Sequence, residues 1–225
     1  MPQDAIMVDD LVYAYGELLA VDHISFKVAE GEILGFLGPN GAGKTTTVKM
    51  LTGQLKPKGG KAQVLGMDVA RDASKIRREI AVCFEQTTLY EQMTALENLG
   101  LFAQLFGISG FDGEVLLKRV GLAGREKDRV EGYSKGMKQR LMVARSLVNR
   151  PRVLFLDEPT AGLDPASAEA IRSVILEERA RGATVFLTTH DMMEADKLSD
   201  RVAFMNAGRI AALDTPHNLK QQYGK

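Results

Sequence analysis

The chain has no tryptophan and one cysteine, Cys83, among its 225 residues. A single thiol forms no intrachain disulfide and builds no cysteine-rich zinc centre, so a reducing compartment suits it best. It has no excess of either charge, with 29 Lys+Arg against 29 Asp+Glu. No overall field draws it to nucleic acid or acidic lipid, and no nucleic-acid partner is expected. Long apolar runs are missing too: a segment such as Ile33 to Gly38 falls far short of the roughly 20 residues that a membrane span requires. The N-terminal MPQDAIMVDD has no basic segment leading into an apolar one. The expectation is a chain neither exported nor inserted, whose membrane role, if it has one, comes through a partner.

What the chain does have is glycine, 22 residues, in a globular composition that is 45% hydrophobic and 26% charged. That length suffices for one large core, or one core with a small appended subdomain. Short β-rich runs come first, at Ile6 to Tyr15, Ala20 to Val28 and Glu32 to Leu37, with apolar residues alternating as in a half-buried sheet. A glycine loop and a helix follow, then a strand at Val82 to Phe84. From Thr94 onward Leu96, Leu99, Phe102, Leu105 and Phe106 fall at helical spacing and open a helical segment running to about Gly132. The rhythm then resumes: helix Lys135 to Val148, strand Val153 to Leu156, helix Pro165 to Ala180, strand Thr184 to Leu187. Strands alternating with helices predict an α/β fold with a parallel core sheet, an N-terminal antiparallel β portion and an inserted helical subdomain. Ligands of such a sheet sit at the carboxyl ends of its strands.

The strongest chemical signal is GPNGAGKT, made by Gly38, Pro39, Asn40, Gly41, Ala42, Gly43, Lys44 and Thr45, with Thr46 next. It follows a predicted strand and precedes a helix, the context a phosphate loop requires. Glycines let successive N–H groups and the helix N-terminus face phosphate oxygens. Lys44 suits the β and γ phosphates, and the Thr45 hydroxyl suits Mg²⁺. Such a loop needs an acid for its metal, and VLFLDEP offers Asp157 at the end of a buried strand. Glu158, one residue on, stands where a general base for an attacking water belongs. Alone, the pair also fits a strand ending in two solvated carboxylates.

GPNGAGKT, FEQ at Phe84 to Gln86, YSKGMKQRL at Tyr133 to Leu141, LFLDEPTAGLD at Leu154 to Asp164 and TTHD at Thr188 to Asp191 together resemble the nucleotide-binding subunit of ATP-binding cassette (ABC) transporters. Order and spacing match along nearly the whole chain. The resemblance implies ATP and Mg²⁺ as cofactors and ATP hydrolysis as the activity. It implies that Tyr15 stacks on adenine, although Tyr13 lies on the same strand face and could be core. It implies that Gln86 touches Mg²⁺ and the attacking water, that Asp164 belongs to a loop crossing to a second subunit, and that His190 contacts the γ phosphate. It divides the chain into an ATP-binding core at 1–86 and 134–225 and a helical subdomain at 87–133.

YSKGMKQRL departs from the commoner LSGGQ form: Ser134 and Gly136 are kept, while Lys135 and Met137 replace a glycine and a glutamine. Ser134 can cap the following helix, so that its hydroxyl, the Gly136 N–H and the helix N-terminus make an anion site. Ser134 could also be a cap and nothing more. The resemblance gives the second anion site a purpose: in a head-to-tail homodimer or pseudo-dimer, Ser134 of one subunit completes the ATP site of the other. The SKGM form looks like that of bacterial ABC-2-type exporter subunits. A separate integral membrane subunit is then expected to seat a short helix near Gln86 to Met93, with this chain cytoplasmic and peripheral on the inner face of the membrane. A soluble ABC ATPase without a transport role shares every ATP motif and is the alternative. A small-molecule kinase of the phosphate-loop class would need an acceptor pocket and an arginine-bearing lid.

Overall fold

A computed structural model describes residues 4–223. In chain order the elements are β1 (Asp4–Tyr15), β2 (Leu18–Ala29), β3 (Ile33–Leu37), α1 (Lys44–Leu51), β4 (Gly59–Val64), β5 (Met67–Asp68), α2 (Ala73–Glu79), β6 (Ile80–Cys83), α3 (Ala95–Leu105) and α4 (Gly113–Arg119). After a 3-10 turn at Val130–Gly132 come α5 (Lys135–Ser146), β7 (Val153–Asp157), α6 (Pro165–Ala180), β8 (Thr184–Thr189), α7 (Met192–Leu198), β9 (Arg201–Asn206), β10 (Arg209–Asp214) and α8 (Pro216–Tyr223).

Two sheets form. The antiparallel one runs β2-β1-β4-β5, and the larger runs β10-β9-β3-β8-β7-β6. Every pair in the larger sheet is parallel except β9 with β10. Strands β3, β7 and β8 are buried at every position, which explains why their sequences read as unbroken apolar runs rather than alternating ones. Their side chains nonetheless alternate between two cores. Ile33, Leu154, Leu156, Val185 and Leu187 pack with α3, α4, α5 and α6 on one face. Leu34, Phe36, Val153, Phe155 and Phe186 pack with α1 and the antiparallel sheet on the other. There Phe36 and Phe186 meet at 4.9 Å between ring centroids, and Phe155 and Phe186 at 5.6 Å. Such aromatic pairs add about 0.5–1.5 kcal/mol each beyond their burial.

The helical segment is shorter in its elements than its periodicity suggested, with α3, α4 and the 3-10 turn separated by loops. Thr94 caps α3 by accepting from the Glu97 N–H, and Glu97 reaches back to the Thr94 N–H at 2.7 Å. A short ladder closes the neck of the segment: Val130 N–H donates to Met93 O at 3.0 Å, Leu96 N–H to Glu126 O at 3.1 Å and Glu131 N–H to Glu91 O at 2.9 Å. Helix α5 ends at Ser146, two residues before the expected Val148. The elements from α7 to α8, and β4, β5 and α2, had no counterpart in the expectations drawn from sequence.

Candidate functional site

The carboxyl ends of β3, β7 and β8 lie side by side, since Leu37 pairs with Thr189 and Asp157 with Thr188. Sequence-distant residues converge there. The loop from Gly38 to Gly43 leaves β3 and turns into α1, with Gly43 at φ +106°. A side-chain carbon at Gly43 would stand 2.2 Å from Ala20 O, so the close approach of the hairpin end admits only glycine. The loop is tied down from behind: Gly38 N–H donates to Thr189 O at 3.2 Å, and Gly208 N–H to Ala42 O at 3.0 Å. The turn between β9 and β10 thus buttresses the loop.

Lys44 is buried, with 6% of its side chain exposed, and Nζ donates to Gly38 O at 2.6 Å and to Pro39 O at 3.2 Å. The same Nζ stands 3.3 Å from Glu158 Oε1. That carboxylate oxygen is buried and has no hydrogen bond. A cation and an unsatisfied carboxylate oxygen therefore face the same space at the mouth of the loop. Thr45 Oγ1 donates to Asp157 Oδ2 at 2.8 Å, and the Thr188 hydroxyl donates to the other oxygen, Oδ1. The hydroxyl and the carboxylate, both oxygen ligands of the kind Mg²⁺ takes, are in direct contact, and among the described residues no group of three or more His, Cys, Asp or Glu side chains could hold a metal ion. Two protein ligands with the rest from phosphate and water is how Mg²⁺ is usually bound.

Glu158 is held in the left-handed region at φ +52°, its N–H donating to Thr188 O at 3.1 Å. A non-glycine residue there is strained by local sterics, and the surroundings must enforce it. Its Oε2 accepts from the His190 N–H at 3.3 Å and contacts His190 Nδ1 at 2.8 Å. A hydrogen bond between Nδ1 and a Glu158 carboxylate oxygen requires the proton on Nδ1, because a carboxylate only accepts.

The remaining expected residues lie further out. Gln86 is exposed in the segment after β6, the strand that pairs with β7, and no hydrogen bond joins its side chain to Asp157 or Thr45. Tyr15 is 46% exposed at the end of β1, and its ring meets that of the half-buried Tyr13 edge-on at 4.9 Å. Ser134 is exposed and caps α5, accepting from Met137 N–H at 3.2 Å. Gly136 is buried where a side-chain carbon would fall 2.5 Å from Ser167 Oγ and 3.2 Å from Asp164 Oδ2. Asp164 caps α6, accepting from Ser167 N–H at 2.9 Å, and the Ser167 hydroxyl together with that N–H holds its carboxyl below its usual range. Neither Ser134 nor Gly136 joins the hydrogen-bond network of Lys44, Asp157, Glu158 and His190. Lys135 reaches instead toward the loop after β7, with Nζ 2.7 Å from where a Gly162 side chain would begin.

Sequence reasoning passed over Thr188, Arg145 and Glu194. Thr188 serves both Asp157 and Glu158. Arg145 on α5 donates to Thr88 O at 2.7 Å and Thr88 Oγ1 at 2.6 Å, and stacks over Phe102 at 4.5 Å. It pins the segment after Gln86 to the helix that begins beside Ser134, and burial pushes its guanidinium down from its ordinary value.

A phosphate loop at the end of a parallel strand, with an acid and a second carboxylate at the next strand but one, defines an ATP-binding domain of the phosphate-loop class. The family model described as "ABC transporter" matches residues 21–161, and the chain belongs to that family. It is 48% identical over 219 residues to a fluoroquinolones export ATP-binding protein of Mycobacterium tuberculosis, covering 96% of this chain and 73% of that one. The structure of an ATP-binding subunit of an ABC transporter superposes with a TM-score of 0.88 at 32% identity, covering 98% of this chain and 93% of the other. A dimeric ATP-binding cassette in a post-hydrolysis state, bound to ADP and Pi, superposes with a TM-score of 0.83 at 27% identity over 94% and 98% of the two chains. The protein is thus an ABC ATPase, and its described residues contain no helix long and apolar enough to cross a membrane.

Proposed function

We propose that this chain is the ATP-hydrolysing subunit of a membrane exporter, peripheral on the cytoplasmic face, and works as a head-to-tail dimer. The observation that carries the proposal is the pairing of Lys44 with the unsatisfied Glu158 Oε1 while Oε2 is held by His190. One carboxylate oxygen is held by His190, and the other, without a hydrogen bond, faces the Lys44 ammonium that a phosphate would draw away. ATP fits the site through the Gly38 to Thr46 loop, with Tyr15 as the adenine platform. Mg²⁺, held by Thr45 and Asp157 with Gln86 approaching from the segment after β6, would neutralise developing phosphate charge. Glu158 Oε1 accepts the proton of the attacking water. Lys44 stabilises the oxygens of the transferring phosphate, and His190 joins it when its ring carries a proton on both nitrogens and Nε2 donates. Strain at Glu158 keeps the base aimed rather than free to rotate.

Ser134 and Gly136, at the start of α5, share no hydrogen bond with this constellation, so a second copy is the natural user of that anion site. Residues 1–86 and 134–225 form the ATP core, and residues 87–133 present Tyr90, Leu105 and Phe106, all exposed, to a helix of the membrane subunit. The export role draws on the name of the Mycobacterium relative, and the dimer on the ADP-bound neighbour.

The test uses size-exclusion chromatography with ATP and Mg²⁺. Glu158→Gln preserves shape and removes the proton acceptor, so an ATP-bound dimer accumulates; adding Ser134→Arg abolishes it while each monomer still binds ATP. A double variant that dimerises as strongly as Glu158→Gln overturns the shared site. Co-purification with an integral membrane protein separates an exporter from a soluble ABC ATPase.

A further inference from the structure

Glu194, in the first turn of α7, is 2% exposed and belongs to none of the motifs above. Its two oxygens are divided between the loop after β7 and the last residue of β8. The Thr160 hydroxyl donates to Oε1, and the Thr189 hydroxyl donates to Oε2 at 3.2 Å. Thr160 stands two residues after Glu158, and Thr189 one residue before His190. The Thr189 oxygen also accepts from the Asp191 N–H at 3.0 Å, so it is held from both sides. From α6, Arg172 brings Nε to 4.0 Å from Glu194 Oε1, and that nitrogen is buried with no hydrogen bond. Arg172 also pairs with Glu169 at 3.1 Å. Helix α6 is itself capped by Asp164, the last residue of the same loop that Thr160 begins.

An acid in the first turn of a helix ordinarily faces water and complements the helix dipole. This one is withdrawn from water, which costs free energy unless its oxygens are satisfied, and the partners that satisfy them are the hydroxyls of Thr160 and Thr189. We infer that Glu194 is a positioning residue: its carboxylate clamps the loop after β7 to the end of β8 and thereby sets the contact between Glu158 and His190. Among the described residues of the loop after β7 beyond Glu158, none but Thr160 has a side-chain hydrogen bond to β8 or α7. The clamp is a matter of geometry, whereas its importance for turnover rests on the proposed role of Glu158 as base.

The test reads the clamp without nucleotide. The chain has three histidines, His23, His190 and His217, so ring ¹⁵N spectra of the full chain hold three sets of signals. Contact with Glu158 fixes the His190 proton on Nδ1, and loss of that contact moves its ring nitrogens toward the mixed tautomers of an unconstrained imidazole. His23, against Asp10, and His217, against Gln221, serve as internal references. Glu194→Ala and, independently, Thr160→Val are expected to shift the His190 signals and leave the other two in place. Glu194→Gln keeps an acceptor for one hydroxyl and offers a donor to the other, and is expected to retain most of the parent signal. An unmoved His190 in Thr160→Val overturns the inference, as does a change in which all three histidines shift together. Because the spectrum requires no hydrolysis, a failed clamp and a failed assignment of the base are told apart by whether His190 or only turnover responds.

Discussion

Thr45 Oγ1 and Asp157 Oδ2 are hydrogen bonded at 2.8 Å although 112 residues separate them in sequence. The contact joins the first turn of α1 to the end of β7, and it brings together the hydroxyl and the carboxylate that suit a metal. Thr45→Val keeps the shape and removes the hydroxyl. We expect it to weaken binding of ATP with Mg²⁺ by about tenfold or more, the equivalent of one charge-assisted contact, while binding measured in excess EDTA is unchanged. Titration calorimetry in the two buffers checks this.

Lys44 serves folding as well as binding, because its partner Glu158 is buried. Lys44→Ala is expected to lower ATP affinity at least about tenfold. It also leaves a carboxylate buried without its cation, a defect worth about 3 kcal/mol. For a chain of this size that lowers Tm by about 6–12 °C. Adding Glu158→Gln should restore most of the lost Tm and none of the lost affinity. Calorimetric melting and ATP titration of the single and double variants separate the two roles.

Tyr15 and Tyr13 touch yet differ in setting, Tyr15 being exposed and Tyr13 packed against the core that includes Val8, Leu11 and Val21. Lys58 lies over the Tyr13 ring at 5.6 Å. Tyr15→Ala is expected to weaken ATP binding with little change in Tm, and Tyr13→Ala to lower Tm with a smaller effect on binding. The reverse pattern in paired melting and binding curves would assign the adenine platform to Tyr13.

Burial pushes the Glu194 carboxyl above the usual range of a glutamate, against the opposing pull of Thr160, Arg172 and Thr189 and with Asp191 adding to the rise. A raised value in the folded state means that this group favours folding in its protonated form, and that the benefit is lost as pH rises through the folded value. Glu194→Gln removes the titration. The Tm of the variant minus that of the parent should therefore be more positive near pH 7.5 than near pH 4, where the parent carboxyl is largely protonated. A difference independent of pH would contradict the shift.

The parallel strands and the phosphate loop were legible because their signals are local: unbroken apolar runs for buried strands, and glycines whose spacing has one common use. Asp157 and Glu158 were legible from position, at the end of such a run. The hairpin of β9 and β10 was missed although Ala207 and Gly208 form its turn, with φ +45° at Ala207 and +80° at Gly208. The flanking strands are partly buried, and their pattern Val202, Ala203, Met205 does not alternate strictly. Glu194 and Arg145 carried no signal at all. An acid in a first helical turn and a base in a last one satisfy the helix dipole in any sequence, and only burial shows that each has a further task. Gln86 and Ser134 were read from a resemblance, and a single copy of the chain leaves both on the surface.

Cys83 ends β6 with 2% of its surface exposed, and burial pushes its thiol up to about 12. Thiolate is the form that attacks maleimides and disulfide reagents, so this sulfur is chemically silent at neutral pH on two counts, access and charge. The native chain therefore behaves toward such reagents as if it had no cysteine. A single cysteine placed at an exposed position such as Lys135 or Tyr90 becomes the one addressable site in the molecule, and spin labels or fluorophores can follow the approach of two copies without altering the strand beside Asp157.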